Sequence, residues 1–251
     1  SVNWTTPRKT VLAITNLANG ELWQPLFAHL AQDARNNASL YMFVSLVVAI
    51  LKYGRWRLMK WTGQTEPRIL SSLDAGVQRI SMNLLALAAL ATCWPLVMGF
   101  VAWRLSASES NLGAAIASGL LYSAILLWAL TIAACFVQRG GLAESFRLWP
   151  DSVIRSLRKN HGIYATGGIP LCTVFIASHR MDDGSCVETL GRFAFILFCG
   201  LVSVVLATTL SPKGAIVGTW LRATPPSPVY KTRWLWYPTL VAAPICMAVL
   251  A

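Results

Sequence analysis

GGLAESFRLWPDSVIRSLRKN, residues 140–160, is a basic and partly amphipathic stretch between two long apolar runs, and its reading decides how the rest of the chain is arranged. Pro150 suits the first helical position with Asp151 beside it in the first turn, where the positive end of the helix dipole favours both. Val153, Ile154 and Leu157 then share one helical face, and Arg155, Arg158 and Lys159 fall on the opposite one. Such a helix fits the boundary between acyl chains and an anionic headgroup layer. Arg147, Trp149, Arg155, Arg158 and Lys159 are therefore the expected contacts with inner-leaflet lipid. This element lies on a membrane and does not cross it.

Working outward, the chain has 251 residues, 55% hydrophobic and only 12% charged. Its mean hydropathy is +0.55. A soluble domain carries about twice that charge fraction, so the chain reads as an all-α, polytopic membrane protein. Six apolar runs approach the length of a spanning helix, at about Leu40–Tyr53, Ile80–Trp103, Leu112–Val137, Ile163–Ser178, Phe193–Leu210 and Leu235–Ala251. The first and fourth are short and need flanking residues to reach both interfaces. Ahead of them, residues 1–38 form a periplasmic or interfacial segment, and residues 39–251 a transmembrane helical domain. Within the first segment, Leu22, Trp23, Leu26, Phe27 and Leu30 recur at helical spacing after a turn at Asn19-Gly20. An interfacial helix anchored by Trp23 and an ordinary amphipathic helix packed on the spans both satisfy that pattern. There is no cleavable signal peptide pattern at the start. The first residue is Ser1 and the last, Ala251, falls inside an apolar run, so a segment of a longer protein is expected.

The net charge of +11 sits in the connections between spans. Of the 21 Lys and Arg residues, fifteen lie in the first, third and fifth connections, three in the second and fourth, and three before the first span. The positive-inside rule then puts the odd connections in the cytoplasm and the N-terminus outside. This placement is topological and gives no footprint for nucleic acid.

Prolines interrupt the runs. Pro95, Pro170, Pro238 and Pro244 each remove an intrahelical hydrogen bond and mark expected kinks. Gly113, Ala117 and Leu121, at four-residue steps among other small residues, give the third run an expected close-packing face. Apart from Lys52 near the inner end of the first, none of the runs carries Asp, Glu, Lys, Arg or His. That argues against a proton-coupled carrier and against a membrane-embedded hydrolase. No phosphate-loop, zinc-protease or nucleophile-elbow motif occurs, so no catalytic or metal-binding residue and no cofactor is expected. The six cysteines form no CxxC pair, and five sit in apolar runs as packing residues.

Taken together, residues 140–160, the proline-containing run around Pro170, ETLGRFAFIL from Glu188, CWPLVMGFVAWRL from Cys93 to Leu105 and LSPKG from Leu210 to Gly214 resemble the inner-membrane domain that precedes the channel core in large members of the small-conductance mechanosensitive (MscS) channel family, of the potassium-dependent MscK type or its MscM-like relatives. The resemblance covers most of the chain from Trp23 onward. It implies a homoheptameric, tension-gated channel of a bacterial inner membrane that protects against hypoosmotic shock, with potassium or other ions as permeant species or regulator. The pore helix and cytoplasmic vestibule of that family have no counterpart in this sequence, so no pore residue is assigned.

The expected role is a peripheral paddle that passes membrane tension to a channel core. Two other roles fit the same composition. One is an uncoupled transporter or flippase subunit, with Thr92, Ser123, Thr131, Thr166 and Thr173 as the sparse polar groups for a cavity. The other is a passive membrane anchor for a periplasmic domain.

Overall fold

Backbone amides inside a bilayer have no water to bond, so spans of this composition form helices. The computed structural model describes residues 23–62, 91–108, 110–135, 150–181, 186–211 and 231–250, and every regular element among them is helical. The helices are α1 (Gln24–Asn36), α2 (Ala38–Thr62), α3 (Cys93–Ser106), α4 (Asn111–Cys135), α5 (Asp151–Ile163), α6 (Ile169–Arg180), α7 (Cys186–Leu210) and α8 (Arg233–Leu250). A π-helical turn, Tyr164–Gly168, joins α5 to α6.

Each apolar run falls on one of these helices at least in part. Among the described residues, three helices are long and apolar enough to cross a membrane alone: Asn111–Ala134, Leu190–Leu210 and Arg233–Leu250. A fourth span is reached when α1 and the first part of α2, bent by 94° at their junction, are counted together. The other two runs fall short for local reasons. Residues 80–90 of the second lie outside the described residues, and the fourth is divided by the π turn.

The helices stand in a row. α2 packs on α3, α3 on α4, α4 on α6, α6 on α7, and α7 on α8, so apart from α5, which touches α4 and α7 at one rim, each helix packs on the next in the chain. Among the described residues no extended packing brings α8 or α7 back against α2 or α3. A water-soluble bundle closes because its apolar faces must leave water, whereas a membrane helix loses nothing by turning such a face to lipid. Large apolar side chains are accordingly exposed along α2, α4, α7 and α8, and α8 buries no residue at all.

Small side chains hold the row together. Ser123 of α4 is fully buried, at 0% exposure, and its hydroxyl meets Thr173 Oγ1 of α6 at 2.8 Å. A Cβ on Gly119, one turn earlier, would come within 2.6 Å of the Thr173 carbonyl oxygen and 3.2 Å of Ala177 Cβ. The next joint repeats the device: a Cβ on Gly191 of α7 would lie 3.1 Å from Ser178 Cβ of α6. Only glycine lets these backbones approach so closely.

Candidate functional site

Two rims bound the row, and its polar features sit on them. At the first rim α1 turns sharply into α2. Asn37 closes α1 by donating its backbone N–H to the Asp33 carbonyl (2.8 Å), and its side-chain amide donates to Asp33 Oδ1 (2.9 Å). Tyr41 Oη donates to Asp33 Oδ2 at 2.7 Å. From α3, Arg104 donates through Nε to Oδ2 (2.6 Å) and through Nη2 to Oδ1. The carboxylate of α1 thus gathers donors from the α1–α2 corner, from α2 and from α3. The Arg104 guanidinium, helped by Tyr41 and Asn37, holds the Asp33 carboxyl well below the usual carboxylate range. Under this cluster, Leu26 of α1 packs with Leu105 and Ala117, and Trp23 and Leu30 close around them. The amphipathic segment before the spans is therefore a packed helix, with Trp23 among its packing contacts.

At the opposite rim lies the basic helix that organises the sequence. Pro150 precedes α5 as its N-cap and Asp151 opens the helix. Val153 and Ile154 are buried and Leu157 packs on Ile154, while Arg155 and Lys159 are exposed and Arg158 is half-buried. Arg147 and Trp149 lie outside the described residues. One polar residue shares the buried face of this helix: Asn160, seven positions after Val153, is buried and donates from Nδ2 to Thr209 Oγ1 of α7 at 2.7 Å. Its polar type within a basic run hid it in the sequence.

The proline sites behave differently from one another. Pro95 is buried in the first turn of α3, just after the helix is interrupted at Thr92, where a missing N–H costs little. Pro170 opens α6 directly after the π turn, which lets the backbone pass the absent donor. That turn packs on α7, for a Cβ on Gly167 would meet Leu201 Cδ1 at 2.8 Å and one on Gly168 would lie 3.6 Å from Phe198 Cε2. Pro238 and Pro244 lie inside α8, which continues through both.

The expected small-residue face of α4 is split. Gly113 sits under the α3–α4 turn, its N–H donating to the Ser110 hydroxyl (3.0 Å) that caps the helix. Ala117 is in the buried cluster with Leu26 and Leu105, and Leu121 is 48% exposed. The face that meets α6 is offset by two residues and runs through Ala115, Gly119 and Ser123, all buried. An offset of two residues is about 200° of rotation around a helix, so the ladder that starts at Gly113 ends, at Leu121, on the side turned away from α6.

The five hydroxyls considered for a transport cavity do not converge. Thr131 bonds back to the Leu127 carbonyl (2.7 Å) and Thr166 to the Gly162 carbonyl (2.8 Å). Of the five, Ser123 and Thr173 meet, inside a helix joint. Among the described residues no group of three or more His, Cys, Asp or Glu gathers as a metal site would require.

An open row of helices with exposed apolar faces, pinned at one rim by a three-helix carboxylate cluster and edged at the other by a basic amphipathic helix, suits a module that works on the bilayer. Comparison with known proteins agrees. Residues 38–251 match the family described as "Mechanosensitive ion channel inner membrane domain 1". The miniconductance mechanosensitive channel MscM of Escherichia coli (strain K12) is 32% identical over 142 residues, which cover 56% of this chain and 12% of that protein. The chain thus spans a small part of the length of the relative it matches, and no solved structure gives a significant match. The family is one of ion channels and not of enzymes, and its members are oligomeric membrane proteins. This chain belongs to the mechanosensitive ion channel inner-membrane domain family and is a multi-pass inner-membrane protein.

Proposed function

We propose that this chain is the tension-sensing accessory domain of a large mechanosensitive channel, one whose pore lies elsewhere in the intact protein and which protects the cell against hypoosmotic shock. The observation that carries the reading is the open row: among the described residues its long helices pack mainly on their neighbours in the row, and such helices can fan apart or close up in the membrane plane. Tension shifts a closed–open equilibrium only when the two states differ in lipid contact or in-plane area. A row that is exposed on both faces offers that difference, and a closed bundle offers less.

In this reading the rim with Arg104 faces the periplasm, as the distribution of Lys and Arg indicates, and the N-terminal segment lies there too. The rim with α5 then faces the cytoplasm, where Arg155, Arg158 and Lys159 grip anionic headgroups. Homoheptameric assembly and a role for potassium follow from the family resemblance, and the match to MscM supports the MscM-like branch over the MscK type. The lack of convergence among the hydroxyls of α4 and α6 disfavours a transport cavity.

The test is a distance between the two ends of the row. With native cysteines replaced, spin labels at the exposed positions Leu46 of α2 and Leu240 of α8 are measured in vesicles, relaxed and under osmotic tension. The distance should change with tension. A distribution that stays fixed up to lysis contradicts a moving paddle.

A further inference from the structure

α2 and α3 run antiparallel; two ring contacts fix their register, and the Asp33–Arg104 pair between α1 and α3 marks the end of the helix pair. Asp33 meets Arg104 at one end, the Tyr41 and Phe100 rings meet edge-on at 5.0 Å, and Lys52 Nζ lies 5.3 Å from the centre of the Trp94 ring. Lys52 is not at the end of its helix, because α2 runs on to Thr62 with Arg57 exposed beyond it. The residues between Tyr41 and Lys52 are almost wholly apolar, and Met42, Phe43, Leu46 and Ile50 face outward.

The height of this apolar belt follows from helix rise. On α2 the uncharged stretch from Ala38 to Leu51 rises about 21 Å, and on α3 the described residues from Trp94 to Trp103 rise about 15 Å. The hydrocarbon core of a bilayer is about 30 Å thick. The apolar spans of α4, Asn111–Ala134, and α7, Leu190–Leu210, reach about 36 and 31 Å and meet that thickness in full. On α2, the outer long helix of the row, the apolar height is therefore about two-thirds of that at its centre. A lysine stem lets its ammonium climb part of the gap. The Trp94 ring beneath that ammonium is 60% exposed, and an indole in this state belongs at a headgroup boundary.

We infer that the bilayer is pinched beside the α2–α3 edge, with the inner headgroups drawn down to the Lys52–Trp94 pair. A short hydrophobic surface thins the lipid around it at an energetic cost that grows with the mismatch. Stretching a membrane also thins it, so tension lowers that cost and favours arrangements that expose more of this edge. The last step, and the assignment of the pinch to the inner leaflet, rest on the proposed function; the pinch itself does not.

Depth-dependent quenching tests the pinch without reference to gating. The intact protein and its Trp94→Phe variant are placed in vesicles of phosphatidylcholine brominated either at carbons 6 and 7 or at carbons 11 and 12, and the difference in emission isolates Trp94. Shallow bromines should quench that difference at least twofold more than deep ones. Stronger quenching by the deep bromines would mean that the run Ile80–Trp103 crosses the full thickness with Trp94 at the midplane, and would overturn the inference. In Lys52→Leu, with helical content unchanged by circular dichroism, the preference should shift toward the deep bromines. An unchanged profile there would show that the cation does not hold the headgroups and would also overturn it.

Discussion

Arg104 and Asp33, 71 residues apart in sequence, form a two-bond pair at the corner where α1 turns into α2. Both side chains are largely covered, at 16% and 11% exposure, and the pair ties three helices at one rim of the row. Replacing Arg104 with Gln leaves the Asp33 carboxylate with Tyr41 and Asn37 alone. Amides of α1 from Phe27 to Asn36 should then exchange at least about tenfold faster, the factor expected for losing even one of the two charge-assisted hydrogen bonds. Exchanging the two residues, Asp33→Arg with Arg104→Asp, should recover much of the protection. Unchanged exchange in Arg104→Gln would show that the packing of Leu26 alone holds α1.

The same cluster predicts a flat pH response. A carboxyl whose folded pKa is depressed adds stability that is present above its unfolded pKa and is lost only as pH falls toward the folded value. For Asp33 that loss lies below the ordinary carboxylate range, because the Arg104 guanidinium holds the proton off. Protection of the α1 amides, corrected for intrinsic exchange, should be the same at pH 7 and pH 5. A fall within that window would mean that another group controls the corner.

Glycine at 119 is required by distance. Gly119→Leu would drive a side chain against the Thr173 carbonyl oxygen, a backbone atom that cannot step aside, and should destabilise the α4–α6 joint by about 1–3 kcal/mol. Gly99→Leu on α3 is the matched control, since a Cβ there meets nothing within 4 Å. Unfolding midpoints in detergent should separate the two variants, and equal midpoints would contradict the close approach.

Beside Gly119, the Ser123–Thr173 hydrogen bond should contribute little. Interhelical hydrogen bonds in membranes average about 0.6 kcal/mol, so the coupling in a double-mutant cycle of Ser123→Ala and Thr173→Val should be of that order. A coupling several times larger would give the pair a role beyond packing.

Arg155 and Lys159 are exposed on α5 and free to meet headgroups. Each charge near an anionic surface is worth about 1 kcal/mol, so a variant with Arg155, Arg158 and Lys159 changed to Gln should shift the tension threshold in vesicles rich in phosphatidylglycerol. In pure phosphatidylcholine the shift should vanish. An unchanged threshold in both lipids would reduce these residues to determinants of topology and leave the paddle intact.

The residues of α5 were legible in the sequence because an amphipathic helix at an interface carries its environment in its pattern: Val153 and Ile154 go in, Arg155 and Lys159 go out. The order of the row was not, because lipid and a neighbouring helix attract the same apolar side chains and the pattern does not distinguish them. For the same reason the small-residue face was read from Gly113 while the joint runs through Gly119 and Ser123; α4 holds several such ladders, and only the position of α6 selects one. Pairs such as Asp33 with Arg104 and Asn160 with Thr209 join distant residues and leave no periodic trace. Pro170 announced an irregularity, but its form as a π turn preceding the proline depends on packing against Leu201 and Phe198 of α7.

The most direct measurement is patch-clamp recording under graded suction of the intact protein, with and without residues 23–251. The account predicts a shifted tension threshold with unchanged conductance, as befits a sensor attached to a pore located elsewhere. An unchanged threshold would make the domain an anchor, and an altered conductance would place its helices along the ion pathway; either result contradicts the account.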